Sequence, residues 1–136
     1  MSLELVREAL SGFINHELDL HNLWRNKEHA AALFSRGNGI RRRDNIAGDV
    51  GRGHDIIHAS LALRHGRDGA TAEREAHNLY NALCNRLLDY NGQRGFILTL
   101  FASPVWLGQD SRGVHEFIID FDFYIEKEAF DGLSSE

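Results

Sequence analysis

The 136-residue chain is 43% hydrophobic and 26% charged, which excludes a disordered protein and lets one domain bury its own core. A single cysteine, Cys84, excludes an intrachain disulfide and a multi-cysteine zinc site. A net charge of -5 argues against nucleic-acid or anionic-membrane binding by the whole surface.

The first eight residues interleave charges with apolar side chains and lack the apolar core of a signal peptide. No run approaches transmembrane length, so the expectation is cytoplasmic synthesis without export. Leu3, Val6, Leu10, Phe13 and Ile14 recur at spacings of three and four, predicting a first helix from Leu3 to Leu20 with Ser2 as its N-cap. The run from Ala30 to Ser35 reads either as a short strand or as the tail of a helical segment. Residues 36–53 hold five glycines and the basic run Arg41, Arg42, Arg43, and read as a long loop.

From His54 the pattern alternates, with Ile57, Ala59, Leu61 and Leu63 on one face and His58, Ser60 and Arg64 on the other, which predicts a strand. Asp68 is placed to cap the helix that follows. Ala72, Ala76, Leu79, Tyr80, Leu83, Leu87 and Tyr90 form its stripe, and Asn91-Gly92 is read as its stop.

Phe96 to Ala102 is apolar on both faces apart from Thr99, as in an interior strand or one lying against a neighbouring subunit. Pro104, the only proline, marks where regular pairing stops, and Asp110 and Gly113 supply turn chemistry. In the last strand Phe117, Ile119, Phe121, Phe123 and Ile125 alternate with the acidic row Glu116, Asp120, Asp122 and Glu126. The economical arrangement is a long twisted hairpin with Trp106 and Leu107 near its tip. Trp106 then either folds back on its own sheet or meets another chain.

The predicted class is α+β: a mostly antiparallel sheet with two helices packed on one face, in a single domain over residues 1–128 with a C-terminal tail at 129–136. No catalytic, cofactor-binding or metal site emerges. His54 and His58 lie ~13 Å apart along an extended strand, too far to share an ion. Cys84 beside Leu83 and Leu87 reads as a small buried hydrophobe. The acidic row reads as a solvated strand face. Arg41, Arg42 and Arg43 read as a solvated loop, as a nucleic-acid contact, or as a surface that docks on the acidic row of another copy.

From His54 onward the chain resembles the tail-terminator proteins of long-tailed bacteriophages, also called tail completion or minor capsid proteins. The likeness rests on the strand from Asp55 to Arg64, the Gly66-Arg67-Asp68-Gly69 link, the alanine-rich helix through Leu83, the strand ending at Pro104, and Leu107-Gly108-Gln109-Asp110 with Gly113 ahead of Glu116-Phe117. It covers a little over half of the chain. The arginine-rich loop and the lack of a further proline depart from the family's pattern.

The resemblance implies a structural virion protein with no reaction to catalyse. It would form a six-membered ring on the finished tail tube, at the head-proximal end of the tail, stopping tube growth and meeting the head connector. Implied partners are other copies of itself, the major tail-tube protein and the head-tail connector protein, with DNA only as the passing genome. Expected subunit contacts are Arg41, Arg42, Arg43, Trp106, Leu107, Glu116, Asp120, Asp122 and Glu126. The alternatives are another head-tail joining component, a small hydrolase using His54, His58 or Cys84, and a nucleic-acid module using Arg41 to Arg43.

Overall fold

Helix α1, Leu3–Ser11, buries Val6 and Leu10 on one face. It is shorter than its apolar spacing predicts. The backbone amides of Phe13 and Ile14 both turn back onto the Leu10 carbonyl, at 3.0 and 2.9 Å, around the poor helix former Gly12. The chain then extends, and Leu18, expected in the helix, is buried in the two-residue strand β1, Leu18–Asp19. A computed structural model describes residues 3–20, 26–44 and 53–126, without the side chains of residues 37–44, 53 and 54.

Strand β2, His29–Asp44, and strand β3, Gly53–His65, form a long antiparallel pair. This corrects the reading of residues 36–44 as loop. The register passes from Ser35 opposite Ala59 to Ile40 opposite Ile57, so residues 36–39 stand against His58 alone. Gly37 and Gly39 therefore sit in a bulge, a place inside a strand where glycine fits well. Arg36 closes that bulge by donating to the carbonyls of Ala59 (3.0 Å) and Phe121 (2.8 Å).

Helix α2, Gly69–Leu83, starts where Asp68 accepts from the Ala70 amide (3.3 Å) and the Thr71 hydroxyl (2.7 Å). Ala72 and Ala76 are wholly buried, and such small side chains let the helix approach the sheet closely. The helix stops at Leu83, before the expected Tyr90. Asn85 turns the chain at φ 52°, and Leu87 and Tyr90 belong instead to strand β4, Leu87–Tyr90. Asn91 (φ 52°) and Gly92 (φ 80°) form the two-residue turn into strand β5, Gln93–Thr99, with Tyr90 facing Gln93. Asn-Gly with both φ positive is a hairpin signal, and here it outweighs the helical stripe.

Strand β6, Val105–Gln109, and strand β7, His115–Glu126, complete a seven-stranded sheet in the order β1-β2-β3-β7-β5-β4, with β6 also on β7. Every pairing is antiparallel except β1 with β2. The domain is α+β, mostly sheet, with two helices.

The expected pairing of the two C-terminal strands is present, but in two pieces along one edge of β7. β5 lies opposite residues 121–125 and β6 opposite 115–118. Residues 100–104 bulge out between them and end on buried Pro104. The tip is the Asp110–Gly113 turn, and Trp106 sits back from it, opposite Phe117.

The odd-numbered side chains of β7, Phe117 to Ile125, share one core cluster with Ile57, Ala59, Leu61 and Leu63 of β3, Ala31 and Leu33 of β2, and the buried residues of both helices. Burying this set supplies the main driving force for folding, about 1.5–3 kcal/mol for each large apolar side chain.

Candidate assembly surface

β6 is an edge strand. Among the described residues only β7 pairs with it, because β4 runs beside just the first part of β5. An edge carries a row of unpaired amides and carbonyls, which proteins usually guard with charge. Here no charged residue occurs from Phe96 to Gln109, in a chain that is 26% charged. Along that run Phe101 (53%), Trp106 (56%) and Leu107 (52%) are more than half exposed, and Leu98, Leu100 and Val105 are exposed beside them. Val105 faces Ile118 and Trp106 faces Phe117, so the rim presents apolar groups on both sides of the strand.

This rim is held in place by polar contacts. The Tyr80 hydroxyl donates to the Phe101 carbonyl at 2.7 Å, pinning the bulged segment to α2. The Trp106 indole N–H donates to Nδ1 of His115 at 3.1 Å, and Gln109 Nε2 donates to the Gly113 carbonyl at 3.2 Å. An indole N–H is only a donor, so Nδ1 of His115 is the acceptor of this contact. Trp106, His115 and Phe117 with Gly69 and Glu73 of α2 line a shallow hollow of about 300 Å³.

The acidic row differs from the solvated face predicted for it. Glu116 is buried and ion-paired with Nη1 of Arg64, itself 1% exposed. Asp120 accepts from the Ser60 hydroxyl at 2.5 Å. Asp122 accepts from Arg36 at 2.7 Å and lies 2.6 Å from His58 Nδ1. Glu126 lines an open concavity of about 550 Å³ with Leu87, Asp89, Arg94 and Phe96. The strand pairing places partners from β3 and β2 over three of these carboxylates, where the sequence shows only an alternating acid pattern.

Arg64 is the polar residue that sequence reasoning passed over. Its Nε donates to the Lys27 carbonyl (2.7 Å) and its Nη2 to Asp110 (2.5 Å), besides the contact with Glu116. Asp110 also accepts from the amides of Arg112 (2.8 Å) and Val114 (3.0 Å). The Arg64 guanidinium, with these amides, holds the Asp110 carboxyl well below the usual carboxylate range.

Arg41, Arg42 and Arg43 lie in β2, opposite Ile56, Asp55 and His54; their side chains fall outside the described residues. His58 is joined to Asp122, while the side chain of His54 is also outside the description. Cys84 is half-buried and contacts the Tyr80 and Thr99 hydroxyls at 3.6 and 3.7 Å. His29 and His65 face each other across β2 and β3 with ring centroids 4.6 Å apart, a pairing that spacing along the chain could not reveal. Among the described residues no three His, Cys, Asp or Glu side chains are placed to hold a metal ion. No described helix is long and apolar enough to cross a membrane.

No protein-family model matches the chain, and no curated protein matches it.

Proposed function

We propose that this chain is a structural virion protein of the tail-terminator type. It caps the tail tube as a ring, ends tube growth and forms the joint to the head connector. Its activity is association with copies of itself, with the major tail-tube protein and with the connector, at the head-proximal end of the tail.

One observation carries the assembly part of this reading: the uncharged run 96–109, in which Leu98, Leu100, Phe101, Val105, Trp106 and Leu107 are exposed, on an otherwise charged domain. A cluster of exposed large apolar side chains of this kind is what a protein partner would cover. The bacteriophage part rests on the resemblance of the segment from His54 to Phe117. In this reading both helices cover the core face, and the β6 edge is left open for a neighbour.

The test is electron microscopy of particles assembled without the protein. Overlong tails and unattached heads are expected. Tails of normal length joined to heads would refute the terminator role. Normal tail length with unattached heads would favour the alternative, another head-tail joining component.

A further inference from the structure

Strands β2 and β3 meet at one end in a pair of imidazoles. His29 opens β2, His65 closes β3, and the two stand directly opposite each other. One residue outside the pair, the Gly66 amide donates to the Glu28 carbonyl at 2.8 Å. That pattern makes His29 and His65 a non-hydrogen-bonded pair, the kind that brings cross-strand side chains closest, with Cα atoms ~4.5 Å apart. The rings meet edge to face with centroids 4.6 Å apart. Gly66 leaves room for this, since a Cβ there would lie 3.2 Å from Cε1 of His29.

Nδ1 of His65 is buried and has no hydrogen-bond partner among the described residues. The two rings line a hollow of about 200 Å³ together with Glu17, Asp19 and Lys27. The Lys27 ammonium is already engaged by Asp19 at 3.1 Å. Glu75 acts on His65 from α2, as does His16, which lies 4.0 Å from Glu75. The carboxylates of Glu17, Asp19 and Glu75 against the single ammonium of Lys27 make the surroundings acidic, which favours a cation over an anion.

We propose that His29 and His65 hold a divalent transition ion of the Zn²⁺, Ni²⁺ or Cu²⁺ class across the β2–β3 pair. Imidazole nitrogen suits these ions, whereas Mg²⁺ and Ca²⁺ take oxygen ligands. With metal–nitrogen bonds of ~2 Å, two imidazoles on one ion have their centroids ~5 Å apart, close to the separation here. Ligation uses the neutral ring, and burial, then the neighbouring His29, lowers the basicity of His65. Among the described residues no third His, Cys, Asp or Glu is placed to join them, so the pair supplies two ligands and water the rest. Bound there, the ion ties the first residue of β2 to the last of β3.

The experiment titrates Zn²⁺ into the metal-stripped full chain near neutral pH and follows its ¹⁵N-labelled imidazole signals. Those of His29 and His65 should move and saturate at one ion per chain, those of His54 and His58 should not, and Mg²⁺ should move none. Acidification through the histidine range should release the ion, because protons compete for the same nitrogens. His29→Asn and His65→Asn should each weaken binding by about tenfold or more, since even residues that only support a ligand commonly cost that much. His16→Asn should bind as the native chain does. Saturation at other histidines, affinity unchanged by His29→Asn and His65→Asn, or no movement at millimolar Zn²⁺ would each overturn the site. The mapping on the native chain decides the matter even if a variant fails to fold.

Discussion

Arg64 and Asp110 meet at 2.5 Å between Nη2 and Oδ2, joining the middle strand β3 to the turn that ends the β6–β7 arm. The same guanidinium reaches Glu116 on β7 and the Lys27 carbonyl ahead of β2. One buried side chain thus sets the position of the arm that carries the apolar rim.

Replacing Arg64 by Leu leaves Glu116 buried without its main cation. Breaking a buried ion pair from one side costs about 3–5 kcal/mol. Urea unfolding of Arg64→Leu should show a loss in that range, and a loss below about 1 kcal/mol, the worth of a surface pair, would show that the cluster is solvated. Asp110→Asn should cost less, since an amide oxygen can still accept from the turn amides.

Asp110 also predicts the acid limb of stability. Its carboxyl is held low in the folded chain by Arg64 and the Val114 amide, so the unfolded chain takes up the proton first as pH falls. The contribution is complete above the unfolded value of about 3.9. It is lost below that value, as pH falls toward the lower folded one. The urea midpoint of the native chain should drop through this range, and the drop should be shallower in Asp110→Asn. Parallel curves would remove Asp110 from the account.

His65 acts in a higher window. Burial, and then the neighbouring His29, lower its basicity; Glu75 opposes this and His16 adds to it. The folded chain therefore binds the proton less readily than the unfolded one. The stabilisation is present above the unfolded value of about 6.5, and it declines as pH falls from there toward the folded value. His65→Asn should flatten the stability slope just below neutral pH. An unchanged slope would show that other groups set it.

Strands β3 and β7 and the start of α2 are legible in the sequence because local pattern and tertiary burial agree there. Asp68 caps, Ala72 and Ala76 face the sheet, and the alternation of 117–125 matches its burial. β2 is illegible because its glycines signal a loop until the bulge opposite His58 is known. β4 is illegible because Leu87 and Tyr90 continue the helical stripe, and the break comes from the extended Cys84 and the left-handed Asn85 ahead of it, with the Asn91-Gly92 turn behind. At the candidate surface, Trp106 and Leu107 stand out in the sequence as large apolar residues in a connection. The role of the acidic row does not, since the partners of Asp122 and Glu116 are 64 and 52 positions away. Register, which is a tertiary property, decides which charges are shared and which reach solvent.

Two glycines separate steric from conformational cost. A Cβ on Gly95 would lie 2.4 Å from the Tyr124 carbonyl oxygen, inside the β5–β7 pairing. Gly92 has open space around it but φ +80°. Gly92→Ala should cost about 1–2 kcal/mol, the strain of a left-handed residue. Gly95→Ala must push β5 from β7 and should cost more, with exchange of the β5 amides accelerated. Equal costs and unchanged exchange would mean that the strands yield freely.

Trp106 distinguishes a core residue from an assembly residue. With 56% of its surface exposed and one hydrogen bond to His115, it contributes little to the fold of a single chain. Trp106→Ala should shift the stability of the isolated chain by about 1 kcal/mol or less, as expected for an exposed site that loses one hydrogen bond. It should nevertheless abolish assembly, because a large aromatic group at the centre of an interface typically supplies about 2 kcal/mol or more. Reversing the charges of Arg41, Arg42 and Arg43 should likewise leave the chain folded and block assembly, if electrostatic docking orients the copies. The two variants separate the apolar and electrostatic contributions: added salt should weaken assembly of the native chain only if the arginines take part. Particle yield and thermal unfolding measured on the same preparations decide the matter. An unfolded Trp106→Ala would return that residue to the core, and normal yield with the reversed charges would leave the arginines as a solvated strand.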